Sequence, residues 1–221
     1  MISTSIWAYF HILLFVFWLG TDVGVFTTAV FLKDPKQSYE TRLTLMRLLS
    51  KIDILPRLCF ALILPVGAQL TRGLEIYPIT DAMLAATWVI GLGWSLFIYV
   101  LMRNEGKPLG NTLSRIQIVF EAVMGLLFIG IGGRALADGT PDLPGWYAAK
   151  ILLYGCIFLI AILMHVLFKP FEQPFMEIGT QGSTPEREAI ITRTINRALV
   201  AVLGLYATIA IIAFLGTVKP F

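Results

Sequence analysis

Residues 5–32 read SIWAYFHILLFVFWLGTDVGVFTTAVFL, and within them His11 and Asp22 are the only base and the only acid. A helix rises 1.5 Å per residue, so about 20 mostly apolar residues cross the hydrocarbon of a bilayer. This stretch is long enough to do so. It is too long for the apolar core of a signal peptide, and Met1, Ile2, Ser3 and Thr4 ahead of it lack a basic residue. It reads as a retained first span.

Working outward, five further segments qualify, at roughly 54–72, 82–102, 113–135, 146–168 and 195–216. The fourth of the six spans carries Arg115 and Glu121. The whole composition agrees. Hydrophobic residues make up 57% of the 221 and charged residues 14%, with a mean hydropathy of +0.79. Soluble domains carry about 25% charged residues. The expected fold is therefore an all-α integral membrane protein, a six-transmembrane-helix bundle forming a single domain over residues 1–221.

The 17 Lys and Arg residues set the expected orientation. Thirteen fall in the first, third and fifth connections with their flanks, against 4 on the other side (Arg72, Arg134, Lys150 and Lys219). Basic residues stay cytoplasmic, so both termini are expected outside, with the protein multi-pass in a bacterial inner membrane. The net charge of +3 is small and its positive residues cluster in loops, which speaks of orientation and not of nucleic acid. Cys59 and Cys156 both lie in apolar segments and no C-x-x-C occurs. A disulfide framework and c-type haem attachment are thus unsupported.

Local signals refine the boundaries. Residues 36–52 form a basic amphipathic segment with Leu43, Met46, Leu49 and Ile52 near one face, expected on the cytoplasmic surface. Pro56 suits the start of the second span and Pro65 is expected to kink it. Thr184, Pro185 and Glu186 read as an N-cap, a first-turn proline and a favourable acid. Residues 170–183, with prolines nearby and Gly179 and Gly182 inside, are expected to form a loop. Gly20 and Gly24 form G-x-x-x-G on the first span, and Gly125, Gly130, Gly132 and Gly133 crowd the fourth, so close helix approach is expected at both.

His11 is one of two histidines in the chain. An ionisable residue inside a span is costly and marks a candidate site. Trp7, His11, Phe15, Trp18 and Asp22 follow at helical spacing and form one stripe. One imidazole nitrogen among aromatic rings suits a flat, apolar, metal-centred cofactor such as haem b, with His11 as the metal ligand. The plain alternative is an interfacial histidine hydrogen-bonded to a neighbouring helix. His165 lies near the opposite face, roughly 22 Å away in depth. The two histidines are therefore not expected to share one iron.

Lys150 is the second unusual residue, one turn beyond Trp146 and one turn before Tyr154. Trp146 reads as an interfacial anchor. Lys150 either snorkels to the headgroups or faces the cofactor as a ligand, a propionate partner or a proton-transfer group. By depth it is expected beside His11. Asp22, Asp53, Arg57, Glu121 and His165 form a second polar set, read either as helix-pairing charges, with Arg57 or Arg115 as partners, or as a proton path or a second cofactor contact.

Two motifs also carry a resemblance. Phe10-His11-Ile12-Leu13 followed by Trp18-Leu19-Gly20 resembles the first helix of the HemJ/CopD-like membrane proteins, where an L-H-I-type motif precedes W-x-x-G or a close variant. Trp146-x-x-x-Lys150-Ile151-Leu152-Leu153 resembles the later W-x-x-x-K-L helix of that family, and residues 47–67, with Pro65, are a fainter match to its second helix. The resemblance implies a b-type haem on His11, an essential Lys150, and oxidation of protoporphyrinogen IX in HemJ-type members or copper handling in CopD-type ones. This chain departs from the pattern in its six spans instead of four. It also has no basic residue between Gly20 and Lys33, and it carries Ala148 and Ala149 where the family often has a histidine.

The expected function is that of a haem-dependent membrane redox protein, with a quinone or a tetrapyrrole as partner. A copper or small-solute transporter is the first alternative. The second is a structural subunit of a membrane complex, and a homo-oligomer or a complex partner fits either picture.

Overall fold

The computed structural model describes residues 2–139 and 143–221. Its helices are α1 (Ile2–Leu32), α2 (Tyr39–Ile52), α3 (Ile54–Gly73), α4 (Asp81–Arg103), α5 (Pro108–Asp138), α6 (Gly145–Phe168), α7 (Glu172–Gln181) and α8 (Pro185–Val218). A 3-10 turn, Lys169–Phe171, joins α6 to α7, and no strand occurs among the described residues. Six helical stretches are long and apolar enough to cross a membrane: Thr4–Leu32, Tyr39–Gly73, Asp81–Arg103, Pro108–Asp138, Gly145–Gln181 and Pro185–Val218. Their outward side chains are apolar, among them Val89 and Leu96 on α4, Val119 and Leu126 on α5, and Val200 and Leu203 on α8. Water disfavours so much exposed apolar surface, whereas lipid accepts it. The protein is a multi-pass integral membrane protein in contact with the bilayer.

Capping fixes several starts. Thr80 Oγ1 accepts from the Met83 N–H at 3.2 Å ahead of α4, and Thr184 Oγ1 accepts from the Arg187 N–H at 3.3 Å ahead of α8. The expected loop at 170–183 is instead mostly helix, ended by Gly182 at a φ of +85°. Pro170 and Pro174 fall in first turns, where a missing N–H costs nothing. Phe171, Phe175 and Ile178 then lie on one buried face.

The chain divides into two compact units, Met1–Gly24 with Ser50–Ile116, and Val25–Leu49 with Gln117–Phe221. In the first, α1 and α3 run antiparallel. A Cβ on Gly73 would lie 3.0 Å from Thr4 Oγ1, a Cβ on Gly67 would lie 3.3 Å from the His11 ring, and Trp18 stacks on Phe60 at 5.0 Å. These pairs descend one helix as they climb the other. Gly91 on α4 clears room for the Pro65 ring, which a Cβ there would meet at 2.7 Å. Gly24 meets only Ile52, at 3.7 Å, and Gly20 faces open space. The expected close approach at this G-x-x-x-G is absent, because Gly20 sits on the exposed side of α1 and Trp18 and Asp22 fill the inward stripe.

In the second unit glycines do bring helices together. A Cβ on Gly132 would fall 2.6 Å from the Ala148 carbonyl oxygen, and one on Gly155 would fall 2.8 Å from that of Gly125. These positions let α5 and α6 pack backbone against backbone. Gly130 of the same expected set faces open space. A separate core joins Ala29 and Leu32 to Phe171, Phe175, Ile178, Ile191, Ile195 and Leu199, and the apolar face of α2 (Leu43, Met46 and Leu49) packs against it.

Candidate functional site

The inward stripe of α1 is as the periodicity predicts. Trp18 and Asp22 are buried, Trp7, His11 and Phe15 are half-buried, and Phe10, Ile12, Val16 and Phe17 point outward. The first unit surrounds this stripe with aromatic rings. Trp7 meets Trp88 of α4 edge-on at 5.9 Å, and Phe60 bridges Trp18 to Trp94, with centroids 5.0 Å apart on each side. The His11 ring lies over Gly67, with Cε1 3.3 Å and Nδ1 3.6 Å from where a Cβ would stand, and Nδ1 is buried. Gly67 is therefore the notch that admits the imidazole. Any larger residue there would have to displace it.

Lys150, Trp146 and Tyr154 belong to the second unit. The Lys150 stem lies between α6 and α8, with its amine 2.8 Å from where a Cβ on Gly216 would stand. The amine makes no hydrogen bond or ion pair with a described residue. It turns toward the neighbouring helix α8 near the C-terminal end of that helix. Trp146 is buried in the second unit. Its N–H donates to the Phe221 carbonyl at 3.1 Å, and the Lys219 amine stands 5.4 Å from its ring. The residues that follow α8 thus cover this ring. Tyr154 packs its ring edge-on to Phe128 at 5.1 Å and to Phe158 at 5.4 Å.

The residues of the polar set sit in different settings. Asp22 is buried in the first unit, and Glu121 is buried in the second, accepting from the Gln117 amide at 2.7 Å. His165 is exposed near the end of α6. Arg57 pairs with Asp53 at 2.6 Å, one turn away on its own chain segment. Among the described residues no three His, Cys, Asp or Glu side chains converge as a metal-ion group would require.

One buried charge escapes the sequence reading. Arg42 is 2% exposed, its Nε donates to the Leu32 carbonyl at 2.8 Å, and its Nη1 forks onto Glu188 at 2.9 and 3.1 Å. It spaces with Leu45, Met46 and Leu49 along the apolar stripe of α2, and that was the available signal. Gln117, one turn before Glu121, and Gly67 and Gly216, which receive His11 and Lys150, also go unnamed in the sequence reading.

No protein-family model, no curated protein and no solved structure matches this chain.

Proposed function

We propose that the protein holds one b-type haem through His11 and serves as a membrane redox protein, exchanging electrons with a quinone or a tetrapyrrole. The observation that carries this reading is the setting of His11. An imidazole on a mostly apolar helix is seated in a glycine notch, within a unit rich in tryptophan. The donor set fits the group, since a b-type haem needs an imidazole ligand and apolar walls. It does not need the three-residue cluster that a dedicated copper or zinc site uses. Bound haem would supply one-electron iron chemistry, tuned by its axial ligand and its burial.

In this reading His11 would hold the iron, Gly67 fixes the ring that presents the nitrogen, and Trp7, Phe15 and Trp18 exclude water. Lys150, in the other unit, enters this reading through the resemblance alone, which implies an essential lysine. Asp22, Glu121 and His165 would handle protons. The 13-to-4 distribution of basic residues supports a topology with both termini outside, in a bacterial inner membrane. The buried Gln117–Glu121 pair supports a second reading, a small-solute or proton-coupled transporter.

The test is the optical spectrum of the full-length protein, purified from haem-supplied cells. Wild type is expected to show a Soret band, with sharp α and β bands on reduction. His11→Ala should lose them while still inserting. Gly67→Leu, which crowds the imidazole and leaves the ligand in place, should lower haem occupancy. A wild type without haem, or full haem retention in His11→Ala, overturns the proposal.

A further inference from the structure

Five arginines of this chain are paired with acids: Arg42, Arg57, Arg72, Arg134 and Arg187. Arg193 and Arg197, like Arg47 and Arg115, lie outside these pairs. Neither makes a hydrogen bond or ion pair with any described residue, and both stand on an open face of α8. Thr192 and Asn196 add hydrogen-bonding groups between them, while Ala189 and Val200 are apolar.

The charge of this face is positive. Its one acid, Glu188, is already engaged by Arg42 and by the Ser183 hydroxyl at 2.7 Å. A third cation stands at its edge, where the Lys33 amine donates to Asn196 Oδ1 at 2.6 Å. Arg193 and Arg197 are one helical turn apart, so their Cβ atoms are about 6 Å from each other and both guanidinium groups can reach one anion. A guanidinium fork matches phosphate oxygens in pairs.

Depth selects the source of that phosphate. Arg197 is the last charged residue before residues 198–218, which carry none. The two arginines therefore stand at headgroup level, and Val200 beyond them is exposed where acyl chains begin.

We propose that this face of α8 binds the phosphate of an anionic phospholipid in the leaflet where α8 enters the membrane. The inference is independent of the haem reading. Native mass spectrometry of the full-length protein in detergent, titrated with phosphatidylglycerol, tests it. One lipid per chain is expected at low concentration. The double variant Arg193→Gln/Arg197→Gln should bind it about 30-fold more weakly, from the loss of two interfacial charges. Both side chains are exposed, so the variant should keep the wild-type circular dichroism. Arg193→Lys/Arg197→Lys should recover part of the affinity. Phosphatidylcholine, whose choline offsets its phosphate, should bind at least about tenfold more weakly than phosphatidylglycerol. Millimolar inorganic phosphate should not displace the lipid. Equal lipid affinity in wild type and the glutamine variant overturns the proposal. So does equal binding of the two lipids, and so does displacement by inorganic phosphate, which would make free phosphate the ligand.

Discussion

Replacing Arg42 by Met tests whether the ion pair at the head of α8 holds the second unit together. The guanidinium is fully buried and makes three charge-assisted hydrogen bonds, one to the Leu32 carbonyl and two to Glu188. Met fills much of the same space and donates nothing. Glu188, whose side chain is only 12% exposed, would be left with the Ser183 hydroxyl alone. Stranding one member of a buried pair costs about 3–5 kcal/mol. The Leu32 carbonyl, at the last turn of α1, contributes about 1 kcal/mol of that when it loses its donor. The expected loss is thus about 4 kcal/mol. Arg42→Met/Glu188→Leu removes both charges, so it should recover much of the loss, with a coupling energy of about 2–3 kcal/mol. Reversible unfolding in mixed micelles, followed by tryptophan fluorescence across the four variants of the cycle, measures this. A loss below about 1 kcal/mol in Arg42→Met is the value of a solvated surface pair, and it would refute the reasoning.

Two further outcomes are expected. Lys150→Met keeps the length of the stem and removes a half-buried charge with no partner among the described residues, so it should raise stability by about 1 kcal/mol or more in the same assay. Destabilisation would mean that the amine has a favourable partner after all. Reporter fusions at residues 110 and 180 should both report the cytoplasm, as the basic asymmetry requires, and a periplasmic signal from either would reverse the proposed orientation.

The spans are legible because hydrocarbon imposes one demand along the chain, and its limits are written in charges and caps. The expected 82–102 lies inside Asp81–Arg103, and the cap predicted at Thr184 is made. The stripe of His11 is legible for a related reason, since a period of 3.6 orders the residues of one helix. What faces a stripe has no such signature. Gly20 and Gly132 are the same residue in similar apolar settings, yet only Gly132 meets another backbone. The prolines of 170–183 suggest a loop only while their positions relative to helix starts are unknown.

Polar residues in apolar surroundings show the same divide. Glu121 stands out in its span, and Gln117 at one turn's distance is within reach of a periodicity argument. Arg42 hides because a count of basic residues treats each as a solvated loop charge, and its acid partner stands 146 residues further along the chain. A buried charge needs that partner to be tolerated at all. The same cation that supports an orientation when counted with the others therefore acts locally as a packing element, joining the end of α1 and the face of α2 to the first turns of α8.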